Sequence, residues 1–225
     1  LAVVDGTVYV ESATYVESVT IPVNGLTLSG RSGIASDVVV TPPAGNGFTV
    51  TAADVSIEHL QVSDAVAGAD GIRWSAGGGL LQLTNLELLN NGGAGIAASE
   101  VGNLSLCDVI SSNNGERGLD VSTSGDLNLT VVTARDNGAE AIVAASVGEV
   151  ILDTVITNAD ISITAADQIT VAGTVDSQSG EVTLESVEVP RSAVNVAHAG
   201  AAGRERHSAF DLDSMGILVV NWQNG

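Results

Sequence analysis

The chain has 225 residues, with 27 Asp and Glu against 7 basic residues, all of them Arg, for a net charge of −20. That balance excludes a nucleic-acid binder, because phosphate contacts need a basic face. It leaves divalent cations, salty surroundings or a cationic partner as what the surface tolerates.

Gly is abundant at 26 residues, aromatics make up only 3%, and Val, Ile, Leu, Ala, Ser and Thr dominate. This is a composition of strands and tight turns. The lone Cys107 allows neither an internal disulfide nor a thiolate metal site. No stretch reaches the roughly 18 apolar residues that span a bilayer. There is no signal peptide and no initiator Met, so Leu1 is read as a processed or truncated start.

In chain order, the pattern becomes regular from Gly47. A short apolar strand recurs at Gly47-Phe48-Thr49-Val50, Gly71-Ile72-Arg73-Trp74, Gly95-Ile96-Ala97-Ala98, Gly118-Leu119-Asp120-Val121 and Ala141-Ile142-Val143-Ala144, in steps of 24, 24, 23 and 23 residues. A second strand follows in each repeat, beginning at Val55, Leu81, Leu104, Leu127 and Val150. Its first, third and sixth residues are apolar: Val55, Ile57 and Leu60, then Leu81, Leu83 and Leu86, and so on to Val150, Leu152 and Val155. The first and third share a face. The slip from third to sixth predicts a bend where the chain turns a corner.

Repeats of this length are rungs of a solenoid. Equivalent side chains would stack about 4.8 Å apart, and roughly nine rungs would make a rod about 40 Å long. Asn91-Gly92, Asn114-Gly115 and Asn137-Gly138 fall 23 residues apart at one turn. They are expected to form a structural ladder of buried amides that satisfies turn backbone.

From about residue 158 the rung shortens to about 20 residues, with Ile161-Ser162-Ile163-Thr164 followed by Glu181-Val182-Thr183-Leu184. The expected organisation is a β-helix over residues 1–190 and a C-terminal segment over 191–225. That segment would hold one more rung at Ala193–Val196, a linker, and a cap or partner contact around Ile217–Val220.

The Gly-Ile strand unit with its Asn ladder resembles the right-handed parallel β-helix of the pectin-lyase-like superfamily. The stretch from Asp5 to Ile21 is similar to the entry rung of such proteins, where a short amphipathic helix usually precedes it; only Leu1-Ala2-Val3-Val4 stands in that place here. Residues 161–185 resemble the short repeats of filamentous-haemagglutinin-like surface adhesins. The resemblance covers residues 5–190 and implies an all-β, right-handed parallel β-helix. It implies no single activity, because the superfamily includes lyases, hydrolases, epimerases, adhesins and phage spikes.

Candidate sites are sparse. Asp126 and Glu149 precede Leu127 and Val150 on neighbouring rungs, so they are candidates for a stacked carboxylate pair that could hold Ca²⁺. Asp211 and Asp213 sit in a stretch that resembles a calcium loop but lacks its third acidic ligand and closing Glu. Arg73 and Asp120 fall in one outward column, and Arg117 and Glu140 in one turn column. A lyase reading would make Arg73 the proton abstractor, but no calcium cluster accompanies it. His59, His198 and His207 lack metal-ligand spacing. Arg204-Glu205-Arg206-His207 is the one basic cluster, a candidate partner contact. The sequons at Asn103 and Asn128 fall on strands.

With no catalytic constellation in view, the expectation is a non-enzymatic, extracellular or cell-surface structural or adhesive module without a cofactor. Its partners would be other subunits, flanking domains or a glycan. The alternative is a carbohydrate-active enzyme, which would need two carboxylates within reach of each other.

Overall fold

The computed structural model describes residues 5–76, 78–188, 195–196 and 217–220. Its strands are β1 (Thr7–Val10), β2 (Ala13–Tyr15), β3 (Val19–Ile21), β4 (Thr27–Gly30), β5 (Val38–Val40), β6 (Phe48–Val50), β7 (Val55–Ser63), β8 (Ile72–Trp74), β9 (Leu80–Leu89) and β10 (Ile96–Val101). There follow β11 (Asn103–Ser112), β12 (Leu119–Thr123), β13 (Leu127–Arg135), β14 (Ile142–Ser146), β15 (Val150–Thr157), β16 (Ile161–Val171), β17 (Thr174–Ser177), β18 (Val182–Glu188), β19 (Asn195–Val196) and β20 (Ile217–Val220). One 3-10 turn at Ala35–Asp37 interrupts them.

These strands wind into a parallel β-solenoid of about eight turns, one fewer than the repeat count suggests. Each strand pairs with its equivalent one turn later, as in Leu83↔Leu106 and Leu106↔Leu129. One sheet holds the short strands (β3, β6, β8, β10, β12, β14), the other the long ones (β7, β9, β11, β13, β15). In the first two rungs the long strand is still two pieces, since β7 pairs with β4 through Ser56 and with β5 through Gln61.

The core lies between the sheets and is built from columns. Ile57, Leu83, Leu106, Leu129 and Leu152 stack in register and are all buried. Each such side chain, fully buried, contributes about 1.5–3 kcal/mol. The aromatic pair Phe48 and Trp74 fills the early short-strand columns, and Trp74 Nε1 donates to the Ala52 carbonyl at 3.2 Å.

The bend in each long strand has a specific cause. The fifth residue adopts the left-handed conformation: His59, Asn85, Asp108, Val131 and Thr154, with φ between 48° and 60°. That single reversal moves the apolar set from the third place to the sixth. It is why Asp108 and Val131 are skipped while their flanking residues Cys107↔Thr130 and Val109↔Val132 stay paired.

From Asp160 onward the cross-section narrows. β16 is one 11-residue strand that serves both sheets, its first half pairing with β14 and Ile169–Val171 pairing with β15. The register step falls to 19 residues, from Ile142 to Ile161, because β15 is one residue shorter than β13 and the turn after it, 158–160, has three residues where the turn after β13, 136–141, has six. At the far end, β20 runs antiparallel to β18, the one reversed pairing among the described residues. Of the expected C-terminal features, only the backbone of β19 and β20 falls within the described residues.

Candidate functional site

The Asn-Gly turns stand at the exit of each long strand. Asn91 and Asn114 are buried and Asn137 is half-buried. Each Oδ1 faces N–H groups of the previous rung: Asn114 Oδ1 accepts from Asn91 N and Nδ2, and Asn137 Oδ1 from Asn114 N and Nδ2, all at 3.0 Å. Each Nδ2 donates inward to a strand carbonyl: Asn91 to Val62, Asn114 to Leu88, Asn137 to Ser111. The row is a tie between rungs with its polar atoms turned to the protein. Beyond Asn137 the tie shifts one column, where Asn158 Oδ1 accepts from Asp136 N at 2.9 Å and Nδ2 donates to Asp136 Oδ1 at 2.7 Å.

A second set of ties was not visible in the sequence. At the opposite corner, Asn24, Asp54, Asn103 and Asp126 each accept the backbone N–H of a residue one rung later: Ala53, Leu80, Asp126 and Glu149. The signal that could have found the later members is the 23-residue recurrence of Gly102-Asn103, Gly125-Asp126 and Gly148-Glu149. A third corner uses Asn46, Asp70 and Asp160 in the same way toward Asp70, Ala94 and Glu181.

The carboxylate candidates fall into this scheme. Asp126 and Glu149 do sit on adjacent rungs, but Asp126 Oδ1 takes the Glu149 backbone N–H at 2.9 Å. Glu149 Oε1 accepts from Thr170 Oγ1 at 2.9 Å and from Gln168 Nε2 at 3.4 Å. No group of three or more His, Cys, Asp or Glu among the described residues is placed to hold a metal ion. Asp211, Asp213, His198, His207 and the Arg204–His207 cluster lie outside the described residues. His59 sits at the left-handed bend, its Nδ1 3.4 Å from Ser29 Oγ. Cys107 faces outward between Thr84 and Thr130. Of the sequon residues, Asn103 is one of the corner ties and Asn128 accepts from Thr130 Oγ1.

Arg73 and Asp120 share an outward column with Ala97 between them. They do not pair with each other. Arg73 Nη1 bonds Asp70 Oδ2 at 2.9 Å, and Asp70 is the one carboxylate that is buried among the described residues. Asp120 Oδ2 bonds Arg117 Nη1 at 3.1 Å, and Arg117 Nε bonds Glu140 Oε2 at 3.1 Å. That last hydrogen bond holds the Arg117 pKa above its ordinary value. Glu140 is held below the usual carboxylate range, first by its own backbone N–H and then by Arg117.

Because Ala97 is small, the outer face of the short-strand sheet carries a groove of about 460 Å³ there. It is bordered by Arg73, Glu116 and Asp120 and floored by Ala97 and Ala98. Its one aromatic neighbour, Trp74, is turned into the core. The groove therefore offers charged hydrogen-bonding groups but no ring face on which a sugar could stack.

Compared with family models, with curated proteins and with solved structures, the chain matches none. The fold and the arrangement of these side chains are therefore what bears on function. Among the described residues no helix is long and apolar enough to cross a membrane.

Proposed function

We propose that this chain is a rigid, non-enzymatic structural or adhesive β-helix module, exported and built into a larger cell-surface protein or extracellular assembly. What carries the reading is the engagement of corner carboxamides and carboxylates with backbone of the adjacent rung, from Asn24 through Asp126 to Asp160. Side chains that would otherwise be free to act on a ligand hold the rod in register instead. The narrowing at Asp160 fits the passage from pectin-lyase-like rungs to adhesin-like short repeats.

A glycan-active enzyme is the second reading, favoured by one observation, the groove bordered by Arg73, Glu116 and Asp120. The net charge of −20 disfavours uronate polymers there unless Ca²⁺ intervenes.

The test is incubation with pectate, alginate and neutral glycans, with and without Ca²⁺, alongside the native mass of the protein. No turnover and a mass above that of one chain are expected. Turnover that collapses in Asp120→Asn, Arg73→Ala or Asp126→Ala would replace the structural reading with the enzymatic one. A stable monomer would remove the assembly part.

A further inference from the structure

The core columns reach the first rung without being closed there. Val8 stands in register with Leu28, Ile57 and Leu83, yet Val8 is 40% exposed while Leu83 is 0%. Tyr15 continues the column of Val40, Val62 and Leu88, and Val19 that of Phe48 and Ile72. Both are only half-buried. Together with Val10, Val38 and Leu60 they line an apolar cavity of about 400 Å³ that opens at this end.

The backbone tells the same story. Among the described residues β1, β2 and β3 each pair on one side only, with β4, β5 and β6. Unpaired edges of this kind are templates for another strand.

We infer that this end is a docking edge for a partner polypeptide segment that adds a parallel rung, with apolar residues at alternate positions and Arg or Lys beside them. This inference rests on the structural-module reading and names the partner chemistry that reading requires.

The alternation follows from the columns to be covered, which are spaced two residues apart along each strand. The basic flank follows from the rim: Glu11 and Glu17 border the cavity, and the exposed Asp5 precedes β1 of the same rung. Among the described residues only Arg31, which pairs with Glu11 and lies 5.3 Å from the Tyr9 ring centre, offsets them.

A second copy fits poorly for two reasons. Stacking end to end would bring one charge of −20 against another. The opposite end also carries the antiparallel β20 along β18, so it does not present a parallel edge on that sheet for head-to-tail growth.

The probe is a synthetic peptide alternating Val and Thr with Arg at both ends, compared with the same peptide ending in Glu. Amide hydrogen exchange is read over Thr7–Ile21, with sedimentation of the chain alone and with peptide. The Arg-ended peptide should slow exchange in β1 and β3, and the Glu-ended one should not. Val8→Glu should weaken binding about tenfold or more, since it places a charge in the apolar contact. Glu17→Lys, on an exposed position, should shift the preference toward the Glu-ended peptide while leaving the fold intact.

Equal binding of both peptides, or of neither, would overturn the inference. So would first-rung amides that are already protected in the monomeric chain, which would mean that its own residues cover the edge. Protection that grows with concentration alongside dimer formation would make a second copy the occupant. None of these outcomes produces glycan turnover, so failure here is distinct from failure of the structural reading.

Discussion

Oδ1 of Asn114 lies 3.0 Å from both the backbone nitrogen and Nδ2 of Asn91, one rung earlier. The bond to the backbone nitrogen matters most, because it satisfies a buried turn N–H that the parallel ladder does not reach. Asn114→Ala would leave that donor without its acceptor, and a buried unsatisfied N–H costs about 1–3 kcal/mol. The urea midpoint should fall accordingly. Asn137→Ala, at a half-buried position, should cost less.

The same ties bear on chemical durability. Asn-Gly pairs deamidate when the glycine nitrogen attacks the side-chain carbonyl, which needs both to swing together. Here Gly92, Gly115 and Gly138 donate their N–H to Ala65, Asn91 and Asn114 carbonyls at 2.9, 2.7 and 2.8 Å. The side-chain amides are held as well. Peptide mapping after prolonged incubation of the folded protein should find Asn91 and Asn114 intact, with Asn137 the first of the three to convert. In denaturant all three should convert at similar rates. Equal loss in the folded protein would mean that the ladder opens as readily as it forms.

Much of this architecture was legible because a solenoid repeats its own errors and its own rules. The starts at Val55, Leu81, Leu104, Leu127 and Val150 are the observed register partners, since a period-2 pattern with one slip admits a single alignment. The slip located the bend but not its backbone hand, since His, Asn, Asp, Val and Thr share no side-chain chemistry at that column. The corner ties at Asn24, Asp54, Asn103 and Asp126 stayed hidden because what each accepts is a backbone N–H, which any residue supplies. For the same reason Asp126 and Glu149 read as a carboxylate pair, when one of them faces the main chain of the other.

Val131 occupies the left-handed bend with φ of 53° and is 46% exposed. A β-branched residue is strained there, at about 1–2 kcal/mol, whereas Asn enters this region more easily. Asn85 already does so in the same column. Val131→Asn should raise stability by about 1 kcal/mol, with an unchanged denaturant slope. A loss of stability would show that the Val131 side chain contributes packing that its exposure hides.

The Arg117–Glu140 pair gives stability a pH dependence of known sign. The folded Glu140 pKa lies below its ordinary value, so the pair stabilises above the unfolded carboxyl pKa. That contribution disappears as pH falls through the folded value. Arg117 is shifted upward and stays charged throughout, so the acid limb belongs to Glu140. With side chains 35% and 41% exposed, the effect is at most about 1 kcal/mol. The stability gap between the protein and Glu140→Gln should be largest above the ordinary carboxyl range and close as pH falls below it. Using the difference removes the general relief of self-repulsion that acid brings to so acidic a chain.

The glycines that open the short strands are coupled to the asparagines. A methyl group on Gly71, Gly95 or Gly118 would lie 3.0, 2.9 or 2.8 Å from Nδ2 of Asn91, Asn114 or Asn137, and still closer to a carbonyl of the next rung. The next member of that column is Ala141, at the rung where the ladder has moved to Asn158. Gly118→Ala should therefore cost about 1–3 kcal/mol by overpacking. Ala141→Gly should cost about 0.5–1 kcal/mol, the usual entropic penalty. Combining Gly118→Ala with Asn137→Ala should cost less than the sum of the two single changes, because removing the amide makes room for the methyl. Additive costs would locate the clash in the Ala141 carbonyl and the Ala134 methyl, 2.6 and 2.9 Å away, and would separate the glycine column from the ladder.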